Sequence, residues 1–143
     1  MSLIKKLMVT EKVTEVDFPD IDGFKVQLCY VGRDRMMKIR NQALVYKFNK
    51  RTRQREEEVD NDKFLEAYAD AVIKGWSGLN IRGLSNLLPI DTVGSDPKED
   101  VPYSADDALL LLKNSTIFDQ FVTDSLNNFE GFEREAKEDA EKN

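Results

Sequence analysis

The 143-residue sequence has no histidine and a single cysteine, Cys29. Without histidine there is no Ser–His–Asp triad, no Cys–His pair and no Cys/His zinc site. Cys29 has no partner in its own chain. An internal disulfide is therefore excluded, and a reducing cytoplasm is the expected compartment. Long apolar runs are also missing, since nothing approaches the roughly 20 residues needed to cross a bilayer. Lys5 and Lys6 interrupt Leu3, Ile4, Leu7, Met8 and Val9, so no signal peptide is expected. There is no Gly-rich phosphate loop and no calcium loop of the EF-hand pattern. Gly75-Trp76-Ser77-Gly78 places a serine between glycines, but it is not the nucleophile-elbow pattern and has no histidine to serve it.

What is present reads as a globular chain: 41% hydrophobic and 34% charged residues. The expected organisation is a single α+β domain over 1–132 with a polar, fraying tail over 133–143. The net charge of −6 is unevenly spread. Residues 32–55 hold nine Lys and Arg against one acid, Asp34, whereas residues 56–143 hold eight basic and 21 acidic residues.

The strongest local signal is Asp60 to Leu79. Phe64, Tyr68, Val72 and Trp76 recur every four residues, with Leu65, Ala69 and Ile73 beside them, which predicts an amphipathic helix with a large aromatic face. Asp60, Asn61 or Asp62 can cap its start, and Gly75 and Gly78 mark its end. The remaining elements should pack on this helix.

Upstream, Val13–Phe18 and Phe24–Val31 alternate around the turn Pro19-Asp20-Ile21-Asp22-Gly23, which predicts a hairpin. Asp34–Leu44 reads as a helix. Val45–Phe48 and Arg55–Val59 could pair as a second, very polar hairpin around Asn49–Gln54. Downstream, Ile81, Leu84, Leu87 and Leu88 suggest a short helix stopped by Pro89, and 92–100 reads as an exposed loop. Ser104 with Asp107 should cap a helix whose Ala108 and Leu109–Leu112 are apolar all round. Thr116 with Asp119 repeats the capping pattern for a last helix carrying Phe118, Phe121, Val122, Leu126, Phe129 and Phe132. A small antiparallel N-terminal sheet beside about four helices is the expected architecture. Its core should include Phe64, Tyr68, Val72, Trp76, Leu109, Leu112 and Phe118.

No catalytic, cofactor or metal residue can be assigned. Carboxylate chemistry is open in principle, but no pair stands out among 27 acids. The acids Asp91, Asp96, Glu99, Asp100, Asp106 and Asp107 read as a plain acidic surface, and Cys29 reads as a small packing residue. The basic run Lys47–Arg55 with Phe48 has the look of a phosphate-contacting patch, but Glu56, Glu57 and Glu58 follow at once. A solvated hairpin tip is the plainer reading, and nucleic acid is not the expected partner. The last helix carries more large apolar residues than a surface helix needs. Most should fill the core, and Phe129 and Phe132, with Phe121 and Leu126, are the candidates for meeting a partner helix or a second copy.

Several spaced residues together resemble the tail assembly chaperones of long-tailed bacteriophages. They are Tyr30, Gly75, Trp76, Gly78, Leu79, Pro102, Tyr103, Ser104, Leu111, Leu112, Phe118 and Phe121, and the resemblance covers about residues 15–132. Asn80–Asp100 is longer than in compact members. The resemblance implies a non-enzymatic protein of the bacterial host cytoplasm, absent from the mature virion. It would bind the tape measure protein transiently during tail morphogenesis. In many members a frameshifted longer product engages the tail tube protein, which makes that protein a second implied partner. Self-association is also expected, with basic and acidic surfaces meeting head to tail. A structural head–tail or minor tail component and a small nucleic-acid-binding regulator using 47–55 are the alternatives.

Overall fold

The computed structural model describes residues 2–7 and 11–128. After a short helix α1 (Leu3–Leu7), strand β1 (Glu11–Asp17) turns back into β2 (Lys25–Val31), in a register pairing Glu11 with Val31 and Asp17 with Lys25. Gly23 adopts a positive φ of 81° in the turn, and the Phe18 amide donates to the Phe24 carbonyl across it at 2.9 Å. Helix α2 (Arg33–Gln42) follows. A second hairpin pairs β3 (Leu44–Asn49) with β4 (Gln54–Val59) as a separate two-stranded sheet. Both hairpins follow the alternation and turn chemistry of the sequence.

Helix α3 (Asn61–Val72) is capped by Asp60, whose carboxylate accepts from the Asp62 and Lys63 amides. It contacts α2, α5, β2 and β5. The helix is shorter than its periodicity predicts. It stops at Val72, and Ile73–Ser77 forms strand β5 against the free side of β2. Trp76 therefore sits on a strand. Val72 and Ile73 are β-branched, Gly75 is a poor helix former, and the unpaired edge of β2 offers backbone hydrogen bonds that another helical turn cannot. The resulting sheet has the order β1-β2-β5, with a bulge between Gln27 and Leu28.

Gly78 ends β5 with φ of 76°, and a Cβ there would lie 1.9 Å from the Gly23 carbonyl oxygen. Two turns meet at that point, and only glycine fits. Helix α4 (Ile81–Leu87), capped by Asn80, leads to the loop 88–104, which returns along β5. The Val101 amide donates to the Leu79 carbonyl at 2.8 Å.

Helix α5 (Ala105–Asn114) is capped by Ser104. Its Ala108, Leu111 and Leu112 are buried and Leu109 is half-buried, but Leu110 is 52% exposed, so the helix is not apolar-packed all round as its sequence suggests. After Ser115 a last helix, α6, occupies residues 116–128. The fold is α+β: small antiparallel sheets with helices, centred on Phe24, Val26, Leu28, Val72, Ile73, Leu79, Phe118 and Val122, all at 0–1% exposure.

Candidate partner-binding surface

Four of the positions that carry the resemblance, Trp76, Tyr103, Phe118 and Phe121, converge. The Trp76 indole N–H donates to the Val101 carbonyl at 2.9 Å, and the Tyr103 hydroxyl donates to the Ile73 carbonyl at 3.2 Å. Trp76 meets Tyr103 edge-on at 5.1 Å between centroids and Phe118 at 6.5 Å; Phe118 in turn lies 6.4 Å from Phe121. These residues clamp the segment before α5 to the outer side of β5 and seat α6 against the sheet. Burial holds the Tyr103 phenol above the ordinary tyrosine range, with Asp70 adding to the effect.

Helix α6 starts on a different cap from the expected one. The Ser115 Oγ accepts from the Phe118 amide at 3.1 Å, and the Ser115 carbonyl from the Asp119 amide at 3.0 Å. Thr116 is helical and exposed instead. Ser115 is itself buried, at 2% exposure, so its hydroxyl satisfies an amide that water could not reach.

From that cap, Phe118 and Val122 point into the core. Phe121 is half-buried, with its ring 4.7 Å from Phe18. Leu126 is half-buried and, with Tyr30, Val31, Met36, Tyr68, Thr123 and Asn127, lines an open groove of about 190 Å³. Tyr68 stacks on Phe64 at 5.8 Å and 14°, and both are half-buried. Burial is the main cause of the raised Tyr68 pKa; Asp119 adds to it, and the hydrogen bond with Thr123 opposes it.

Of the four candidate contact residues, Phe121 and Leu126 stand about 140° apart around α6, on opposite sides of the buried Phe118 and Val122, and each rests partly on the core. Phe129 and Phe132 lie outside the described residues. Of the expected core, Val72, Leu112 and Phe118 are fully buried, while Phe64, Tyr68, Trp76 and Leu109 are half-buried against it.

Sequence reasoning missed two exposed apolar side chains, Leu110 on α5 at 52% and Ile117 in the first turn of α6 at 53%. The signal was available in part: with Ala108, Leu111 and Leu112 facing the core at i, i+3 and i+4, Leu110 falls outside that stripe.

Among the described residues, no group of three or more His, Cys, Asp or Glu is placed to hold a metal, and no helix is long and apolar enough to cross a membrane. A second open cleft of about 450 Å³ lies where Lys63, Glu66 and Asp70 of α3 face Asp106 and Leu109 of α5.

Residues 33–143, from the start of α2 onward, match the family described as YdaY prophage protein. The chain belongs to that family and is phage-derived. Comparison with curated proteins and with solved structures gave no match.

Proposed function

We propose that this protein is a non-enzymatic tail assembly chaperone that transiently binds the tape measure protein during tail morphogenesis in the host cytoplasm. Membership of a prophage family supports the phage setting. The observation that carries the finer reading is the partly uncovered apolar surface of α6 on either side of its buried stripe. Phe121 and Leu126 are half-buried, Ile117 stays exposed, and an open groove runs beside Leu126. An apolar helix face left partly uncovered suits capture of another helix. The charged remainder keeps the protein soluble.

The same reading includes self-association, with the exposed apolar surface of the last helix supplying affinity, because exposed ion pairs contribute only about 0–1 kcal/mol each. It also includes the tail tube protein as a second partner, through a longer product extended at the C-terminus.

The test is co-expression with the tape measure protein of the same prophage. The chaperone should keep that protein soluble and co-purify with it. Ile117→Asp together with Leu126→Asp should abolish co-purification while the far-ultraviolet circular dichroism stays folded. A tape measure protein equally soluble without this protein, or captured equally by the double variant, would overturn the proposal. Screening with hydrolase and transferase substrates should give rates equal to buffer.

A further inference from the structure

The β3–β4 hairpin stands apart from the core, and it sorts its charges by face. The register pairs Val45 with Glu58, Tyr46 with Glu57, Lys47 with Glu56 and Phe48 with Arg55. Alternation then puts Tyr46, Phe48, Arg55 and Glu57 on one face and Lys47, Asn49, Glu56 and Glu58 on the other.

On the second face the acids are engaged. The Lys47 ammonium lies 2.8 Å from Glu58, and the Asn49 amide donates to Glu56 at 2.8 Å. The contact with Glu58 also raises the Lys47 pKa. On the first face, Tyr46 and Phe48 are 60% and 63% exposed, and the Arg55 guanidinium sits 5.7 Å from the Tyr46 centroid. Among the described residues both rings stay mostly exposed, with the Arg55 guanidinium over that of Tyr46.

The turn beside them is ordered. The Asn49 side-chain oxygen accepts from the Arg51 amide at 2.9 Å, the Asn49 carbonyl accepts from the Arg53 amide at 2.8 Å, and Arg53 takes φ of 55°. Lys50, Arg51 and Arg53 are all displayed there, exposed.

We propose that the Tyr46/Phe48 face of this hairpin binds single-stranded nucleic acid. Alternate residues of a strand stand ~6.8 Å apart, which suits neighbouring bases splayed from an extended backbone. Each exposed ring offers a platform for one base, and Lys50, Arg51, Arg53 and Arg55 supply cations for the phosphates. The three consecutive glutamates seemed from sequence to oppose this. The register sends two of them to the far face, leaving only Glu57 beside the rings. A duplex keeps its bases stacked and could use only the charges. An acidic protein segment would need the same charges but not two flat, separated rings. This inference stands independently of the chaperone reading.

The test is fluorescence anisotropy of the full-length protein with labelled oligo(dT) of about a dozen nucleotides. The comparisons are a mixed-sequence RNA of that length, the matching DNA duplex, and labelled polyglutamate. Single strands should bind more tightly than duplex. Tyr46→Ser and Phe48→Ser should each weaken binding at least about fivefold, the low end for losing a stacked base, without moving the thermal midpoint. Arg51→Ser with Arg53→Ser should lower the slope of log K against log salt by roughly 1.4, about 0.7 per phosphate lost. Glu57→Gln should tighten binding. Equal binding of duplex and single strand, or aromatic variants that bind like the wild type, would reduce the patch to charge alone and overturn the proposal. Polyglutamate binding as tightly as oligo(dT) would overturn it in favour of an acidic protein partner. Absence of measurable binding to either single strand at about 0.1 M salt, where the Debye length is about 10 Å, would also overturn it.

Discussion

The sharpest test of the fold is the only tryptophan. Trp76 joins β5 to the segment before α5 by its 2.9 Å hydrogen bond to Val101 and its edge-on contacts with Tyr103, Phe24 and Phe118. Trp76→Phe keeps a ring and removes the indole donor. Val101 is half-exposed, so water can reach the freed carbonyl. The loss should therefore be about 1 kcal/mol for the hydrogen bond, with up to about 1 kcal/mol more for the smaller ring. Trp76→Ala also removes the aromatic contacts. Complete truncation of a buried aromatic costs about 3–5 kcal/mol, and half-burial places this site near about 3 kcal/mol. For a chain of this size each kcal/mol lowers the melting point by about 3–4 °C. Urea denaturation followed by far-ultraviolet circular dichroism measures both variants without needing the indole. Tyr103→Phe removes the hydroxyl's bond to Ile73 on the same clamp, so combining it with Trp76→Phe should show coupling of at least about 0.5 kcal/mol. Wild-type fluorescence should be blue-shifted and poorly quenched by iodide. Emission at the water-exposed maximum, or Trp76→Ala costing under about 1 kcal/mol, would refute the clamp.

Three further outcomes follow from particular atoms. Gly78→Ala should destabilise by more than about 2 kcal/mol, because it adds left-handed strain to a clash with the Gly23 carbonyl. Gly94→Ala, with φ of 80° but open space, should cost only about 1–2 kcal/mol of that strain; thermal melts of the pair separate the two effects. Ser115→Ala should cost about 1–2 kcal/mol as a buried helix cap, and Thr116→Ala much less; equal costs would reassign the cap. The phenols of Tyr68 and Tyr103 are held above the ordinary range, so the folded state favours their neutral forms. Their contribution is complete below about pH 10, the unfolded tyrosine value, and is lost as pH rises through the folded values. Urea midpoints should therefore fall above pH 10, and fall less steeply in the Tyr68→Phe/Tyr103→Phe variant.

The two hairpins were legible because each rests on local chemistry: alternation, a turn around Gly23, and a polar turn from Asn49 to Gln54. The end of α3 was not. Trp76 continues the four-residue spacing of Phe64, Tyr68 and Val72, so the local pattern runs on through a boundary set by the open side of β2, a strand far away in sequence. The cap of α6 turned on which of two adjacent hydroxyls meets the Phe118 amide, a choice that only three-dimensional geometry makes. For the candidate surface, the stripe on the last helix could be read, but Phe121 and Leu126 fall on opposite sides of the buried Phe118 and Val122. How far each is covered depends on Phe18 from one hairpin and Tyr68 from α3, contacts that no spacing reveals. The sorting of glutamates on the second hairpin needed the cross-strand register, since β3 and β4 could have slipped by one residue and reversed both faces.

The insertion of β5 beside β2 also bears on how the chain finds its structure. β1 and β2 are neighbours along the chain and can zip at once. β5 can join them only after the whole stretch from Gly32 to Val72 has been drawn into a closed loop, an entropic cost of about 3 kcal/mol beyond the constant term. α2, the second hairpin and α3 all lie inside that loop. A nucleus containing β2, β5 and α3 together would meet the cost once, and substitutions in it should slow folding. The β3–β4 hairpin shortens that loop when it forms first, but the exposed face of the hairpin takes no part in the closure, so changes there that spare the pairing should leave the folding rate nearly unchanged. Natural variation can then accumulate on this arm without endangering the fold that holds it.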